Sequence, residues 1–297
     1  MQITSTSLAA LMIGFKSEFK NGLDTAESQY KTIAMDVNST KGAETYGWLG
    51  KTTRFRKWLG DRVIQNLKTH DFTIKNEPFE NTVGVDRDDI EDDSLGLYSP
   101  LFKQMGQDTA NHPDELVFDL WKKGFTEKCY DGQYFFDTDH PAIDEDGNEY
   151  SVSNMQAGAG PAWYLIDNSK ALMPVIFQKR RPYDFASMDK KDDTNVFLQK
   201  EYLYGIDARV NAGYGLWQLA FGSKATLNKA NYDSAFEAMQ SLKGDHGKPL
   251  NVTPKVLLVP PTLRAVALEM VKAERDAAGA TNVNRGTTEV VVCPWLA

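Results

Sequence analysis

Residues 86–124, DRDDIEDDSLGLYSPLFKQMGQDTANHPDELVFDLWKKG, hold the pattern around which the rest of the chain arranges itself. The stretch begins with Asp86, Asp88, Asp89, Glu91, Asp92 and Asp93 against a single cation, Arg87. Behind this acidic block, Leu101, Phe102 and Met105, then Leu116, Val117, Leu120 and Trp121, recur at i, i+3, i+4 spacing. That period predicts the longest helix of the chain, from about Tyr98 to Gly124, kinked at Pro113.

Upstream the charge has the opposite sign. Lys51, Arg54, Arg56, Lys57 and Arg62 crowd a dozen residues with only Asp61 against them, and Phe55, Trp58 and Leu59 are interleaved. Short alternating runs, Phe72 to Ile74 and Phe79 to Val83, flank Asn76-Glu77-Pro78 and predict a β-hairpin. Further upstream, Leu8, Leu11, Met12, Phe15 and Phe19 keep one face of a helix over residues 5–22. Ser5 to Ser7 offer caps and Asn21-Gly22 a stop. Residues 23–47 show no period and predict an arm that lies on something else.

Downstream, residues 162–222 read as mostly β, with Trp163 to Ile166, Pro174 to Phe177 and Val196 to Phe221 rich in β-formers. The last quarter changes style. Tyr232, Ala235, Phe236, Met239 and Leu242 predict a helix, Lys255 to Val259 a strand, Leu263 to Val271 a second helix and Glu289 to Cys293 a second strand, together an α/β unit.

With 297 residues, 41% of them apolar and 25% charged, the chain is long enough for about two domains and too apolar to be disordered. Its 33 basic against 41 acidic residues, a net charge of −8, exclude a protein held on nucleic acid by bulk electrostatics. Cys129 and Cys293 are too far apart for a CxxC motif and predict buried free thiols in a reducing compartment. No run of about 18 uncharged apolar residues predicts a membrane span. Leu8 to Ile13 has no basic residue before it, so it departs from a secretory signal.

One cluster has ligand-like chemistry: Asp137, Asp139, His140, Asp144, Glu145 and Asp146. Carboxylates and an imidazole can hold a divalent ion or transfer protons. Aligning Gly147 with the glycine of a calcium loop, however, places Ala142 and Ser153 at ligand positions, and neither side chain can serve there as a carboxylate. A turn-rich acidic surface loop with a capping Asp is the better reading. His70, His112 and His246 have no HExxH or triad spacing, Gly213-Tyr214-Gly215 lacks a third glycine, and there is no Walker motif. No catalytic residue, metal site or cofactor is expected. The adjacent charge blocks suggest instead a basic extended loop on one subunit meeting an acidic helix start on its neighbour.

The order of these pieces resembles the major capsid proteins of tailed phages, which share the Hong Kong 97-like fold, and specifically the Mu-like major head subunit family, gpT. The residues that carry it are Gln29-Tyr30, Ile33-Ala34-Met35, Tyr46-Gly47-Trp48-Leu49-Gly50, Arg87-Asp88-Asp89, Glu91-Asp92-Asp93 and Pro113-Asp114-Glu115-Leu116. Cys129-Tyr130-Asp131-Gly132-Gln133, Phe135-Phe136, His140-Pro141, Gly213-Tyr214-Gly215 and Trp217-Gln218 complete the set. The resemblance implies an α+β chain: N-terminal arm 1–46, E-loop hairpin 47–85, a mainly peripheral domain 86–224 with a spine helix at about 96–124, and a mainly axial domain 225–297. It implies a shell of hexamers and pentamers around double-stranded DNA, assembled in the host bacterial cytoplasm. Scaffold, portal and decoration proteins would be its partners, and DNA would be near only non-specifically. The expected inter-subunit contacts are Lys51, Arg54, Arg56, Lys57, Trp58 and Arg62 in the loop, Asp86, Asp88, Asp89, Glu91, Asp92 and Asp93 before the helix, and Leu8, Leu11, Phe15 and Phe19 on the arm. A tube or sheath subunit, and a hydrolase centred on His140, are the competing readings.

Overall fold

The computed structural model describes residues 5–46, 72–92, 96, 98–190, 192–244, 247, 249–275 and 279–297. Its elements are α1 (Ser5–Thr25), β1 (Ala34–Asn38), β2 (Ala43–Thr45), β3 (Thr73–Lys75), β4 (Glu77–Asp86), α2 (Arg87–Glu91) and α3 (Tyr98–Lys122). There follow β5 (His140–Ile143), β6 (Glu149–Val152), β7 (Met155–Gln156), β8 (Trp163–Ile166), β9 (Val175–Met188), α4 (Thr194–Gln199) and β10 (Glu201–Tyr214). The chain closes with β11 (Ala220–Ser223), α5 (Lys229–Gln240), β12 (Val256–Val259), α6 (Arg264–Lys272) and β13 (Glu289–Val292).

Two sheets organise the molecule. The first runs β1-β9-β10-β4 and the second β13-β12-β8-β11-β7; β2-β3 and β5-β6 form small ribbons. Trp163-Tyr164-Leu165-Ile166 is apolar throughout because both faces of β8 are covered. Trp163 and Leu165 pack with Tyr232, Ala235 and Met239 of α5 and Ala267 and Val271 of α6. Tyr164 and Ile166 face the main core with Val117, Phe118 and Trp121 of α3 and Val175 to Phe177 of β9. A strand buried on both faces has no reason to alternate.

The long hairpin β9–β10 does alternate, burying Tyr202, Tyr204, Ile206, Ala208 and Val210 under the helices. α1 lies on α3, and the approach is so close that a Cβ on Gly106 would sit 2.1 Å from the Phe19 carbonyl oxygen, and one on Gly22 1.9 Å from that of Lys103. Gly22 therefore permits helix contact, and α1 runs on to Thr25 where the sequence suggested a stop. Pro113 sits inside α3 without ending it. One residue further, the buried Asp114 carboxylate accepts hydrogen bonds from Ser28 Oγ at 2.7 Å and from the Gln29 and Tyr30 N–H groups at 3.0 and 2.7 Å. This anchors the chain that follows α1.

Three expectations change. The segment after α1, expected to lie on something else, joins its own chain's sheet: β1 pairs in parallel with β9, Ala34 opposite Val175. Phe72–Ile74 and Phe79–Val83 are strands but no hairpin: β3 pairs with β2 and β4 with β10. Asn76 alone separates them, too few residues for a turn, and its buried amide donates to Ser39 Oγ and the Lys41 carbonyl, both at 2.9 Å. Finally, a boundary at 225 would cut the second sheet, since β12 is hydrogen-bonded to β8 and shares its sheet with β11 and β7.

Candidate functional site

The acidic block forms its own short helix, α2, and does not open the long one. Asp86 is its N-cap, Oδ1 accepting the Asp88 N–H at 2.7 Å, which satisfies one of the free amides of the first turn. Asp89 accepts the hydroxyl of Tyr98 at the start of α3, tying the two helices and pushing that phenol up to about 12. Asp88 and Asp92 are exposed, and Asp88 faces Lys200 Nζ at 3.4 Å. Glu91 lies in α2, its side chain outside the description, and Asp93 falls outside the described residues. So do Lys51, Arg54, Arg56, Lys57, Trp58 and Arg62. What the structure does place is the base of that segment: β2 and β3 run antiparallel, Thr45 opposite Thr73. The Tyr46 hydroxyl there donates to the buried Gln178 Oε1 at 2.7 Å.

Leu8, Phe15 and Phe19 are corrected as inter-subunit contacts. They are 5, 3 and 7% exposed and pack inside their own chain, Phe15 stacked on Phe102 at 4.1 Å and against Tyr204 at 5.2 Å. Leu11 is partly buried in the same cluster. The apolar face of α1 is real, but α3 and the β9–β10 sheet cover it.

Around His140 the structure differs from a solvated loop. The imidazole is fully buried, stacked on Trp217 at 3.9 Å and 11°. Its Nδ1 meets Asp131 Oδ2 at 2.7 Å and its Nε2 meets Asn154 Oδ1 at 3.2 Å. The Asn154 amide nitrogen donates to the Phe135 carbonyl at 2.9 Å, which fixes Oδ1 as an acceptor toward both the ring and the Asp137 N–H. Both ring nitrogens thus face oxygens. Cys129 Sγ donates to Asp131 Oδ1 at 3.1 Å. Burial alone would raise the Asp131 carboxyl; the hydrogen bond and charge of His140 outweigh it and hold the group below the usual carboxylate range. Burial, then the Asp131 charge, pushes the Cys129 thiol up.

Asp144 plays the capping role that the sequence suggested. It accepts N–H groups of Asn148 and Asp146 at 2.8 and 2.9 Å beside Gly147 at φ 89°, and those bonds lower its carboxyl. Asp137 caps similarly, and Asp139 accepts the Ser151 hydroxyl.

The donor atoms of Cys129, Asp131 and His140 lie within 4.8 Å of one another. A nucleophile or soft-metal ligand must be a thiolate, and here burial and a neighbouring carboxylate favour the thiol. The constellation is a latch: it fastens the loop around residues 129–137 to β5 and to Trp217. Sequence spacing missed it because its members come from positions 129, 131, 140, 154 and 217. Cys129-Tyr130-Asp131, His140-Pro141 and Trp217-Gln218 entered the sequence reading only as motifs that carry the resemblance.

A family model described as the Mu-like prophage major head subunit gpT matches residues 8–296. The major capsid protein of Escherichia phage Mu is 42% identical over an alignment that covers all of both chains. Among solved structures, a chain of the bacteriophage JBD30 procapsid superposes with a TM-score of 0.88 at 46% identity, covering 99% of this chain and 100% of that one. A chain of the JBD30 capsid decorated with minor capsid protein trimers gives 0.77 at 35% identity, covering 93% of each.

Proposed function

The chain belongs to the Mu-like major head subunit family and is a phage major capsid protein of the Hong Kong 97-like fold, and from that premise we propose how it works. Copies join as hexamers and pentamers into an icosahedral shell around double-stranded DNA, formed in the host cytoplasm with scaffold and portal proteins. Minor capsid proteins decorate the shell, as the decorated JBD30 particle suggests. The supporting observation is the match of the whole chain, in sequence and fold, to a procapsid subunit. The latch geometry gives the hydrolase reading no support, and we propose that the chain is not an enzyme.

Within the shell, Lys51 to Arg62 on one subunit meet the exposed acids before α3, Asp88 and Asp92, on its neighbour. Each exposed pair is worth only about 0.2–1 kcal/mol, so recognition comes from repetition around a ring. Electron microscopy of the purified, overexpressed chain tests the reading. Closed icosahedral shells are expected; open tubes would favour a sheath subunit, and dispersed subunits under all conditions would overturn it. Reversing Arg54, Arg56 and Lys57 to Glu is expected to block assembly, and adding Asp88→Lys and Asp92→Lys to restore part of it.

A further inference from the structure

Past its middle, α3 goes through its weakest turn. Pro113 has no N–H, so the Thr109 carbonyl lacks its i+4 donor and the turn depends on what neighbouring elements hold. The two side chains that flank the proline do the holding. On one side of the helix the buried Asp114 carboxylate accepts the Ser28, Gln29 and Tyr30 groups. On the other side His112 seats the turn on the four-stranded sheet. Its Nδ1 lies 2.6 Å from the Tyr183 hydroxyl of β9. Its ring meets that of Phe79 on β4 edge-on at 4.5 Å, and that of Tyr183 at 5.8 Å and 90°. One imidazole thus ties the interrupted turn to two strands at once.

We propose that His112 is an acid-released catch: the neutral imidazole holds α3 on the sheet at the turn that Pro113 weakens, and protonation lets that turn go. The seat is built for a neutral ring. Phe79 brings no charge, and burial pushes the Tyr183 phenol up, so its hydroxyl stays neutral. Behind Tyr183, the Tyr30 hydroxyl donates to Asp36 Oδ1 at 2.9 Å, and Asp36 pairs with Lys179 at 2.8 Å. On α3 itself Asp114 is taken up by the segment after α1, Asp108 accepts Gln104 Nε2 at 2.7 Å, and Glu115 is exposed. Among the described residues Glu115 alone acts on the ring through its charge, and burial outweighs it, holding the imidazole below its ordinary value. An imidazolium there carries a full charge and a second N–H into a half-buried seat between two aromatic rings. A histidine lowered in the folded state gives stability that is complete above about pH 6.5 and is lost as pH falls below it. The Asp131 carboxylate of the latch answers only below about pH 4, so the two windows are separate.

The test is amide hydrogen exchange of the full chain, each rate corrected for the pH dependence of intrinsic exchange. From about pH 7.5 to about pH 5 the amides of residues 109–118 should exchange roughly threefold faster or more, while those of residues 129–142 keep their rates. His112→Asn leaves a polar group against Tyr183 that does not titrate, so in that variant the rise should vanish. Acid loosening in the Asn variant equal to that of the unaltered chain would overturn the proposal. So would loosening spread evenly over the molecule, or none in the unaltered chain. Tyr183→Phe decides the matter where the Asn variant does not fold: without the hydroxyl, residues 109–118 should already exchange faster at neutral pH and gain less from acid. Unchanged rates at both pH values in that variant would remove the catch.

Discussion

In the five-stranded sheet every residue of β8, β11 and β12 is buried, whereas β4 exposes most of its length and β10 buries every second residue. The short strands lie between α5 and α6 on one side and the core under α3 on the other, so their sheet is closed by its own chain. The long strands receive α1 and α3 on one face only. Their other face carries charged groups such as the Arg181–Asp207 ion pair, and their end carries bare Phe197. One half is covered on both faces by its own chain; the other half keeps one face exposed.

The residue that joins the halves should be the most sensitive. Trp121 is fully buried, its ring 5.6, 5.2 and 5.4 Å from those of Phe135, Phe136 and Tyr164, and it belongs to the core shared by both sheets. Trp121→Ala is expected to cost about 3–5 kcal/mol, enough to lose the fold in a chain of marginal stability. Thermal unfolding measures it. Retention of one sharp, unshifted transition would mean that the two sheets are coupled elsewhere.

The latch comes next. His140→Ala removes the partner of a carboxylate whose side chain is 6% exposed, and leaving a buried charge unpaired costs about 3 kcal/mol. Particles should still form below the lowered melting temperature without added metal. Recovery of stability by one particular divalent ion would make the cluster a metal site and defeat the latch. Because the Asp131 carboxyl is held below its usual range, its contribution is complete above pH of about 4 and is lost as pH falls through the depressed value.

At the alkaline end the sign reverses. Burial pushes the Cys293 thiol up to about 11, and burial with the Glu44 charge pushes the Tyr46 phenol up to about 12. An acid raised in the folded state ionises first when unfolded, so the chain should be stable to about pH 9 and weaken progressively as pH rises toward those values. Denaturant midpoints between pH 8 and 12 would show it. Cys293→Ala should flatten the first part of the decline; an unaltered curve would remove the thiol from the account.

The same contrast explains what the sequence disclosed. The helix Tyr98–Lys122 and the α/β elements of the last quarter were readable because their periods are set by their own burial. The pairing of β3 and β4 was not, because Asn76 breaks the chain between two sheets through hydrogen bonds to residues some 35 positions away. The helical face of α1 was legible and its partner was not, since an apolar stripe does not say whether its cover is the same chain or another. At the charged blocks the roles of Asp86 as cap and Asp89 as the partner of Tyr98 follow from local geometry, which charge counting does not resolve.

The smallest expected effect compares two carboxylate contacts. His140 and Asp131 are 0 and 6% exposed, whereas Lys200 and Asp88 are 68 and 63% exposed and 3.4 Å apart. In water-like surroundings Coulomb attraction at such a distance is weak, salt screens it further, and two long side chains lose freedom to make it. Asp88→Ala should therefore shift the stability of the free subunit by under about 1 kcal/mol, and raising the salt concentration should erase most of the difference. The backbone bond from Arg87 N–H to the Lys200 carbonyl at 2.9 Å stays, so α2 remains joined to the end of α4. Guanidinium would mask the effect by its own ionic strength, so urea is the denaturant to use. A loss approaching that of His140→Ala would mean that Asp88 is held in a far less polar setting than its exposure describes, and that the open half of the molecule is braced as firmly as the closed one.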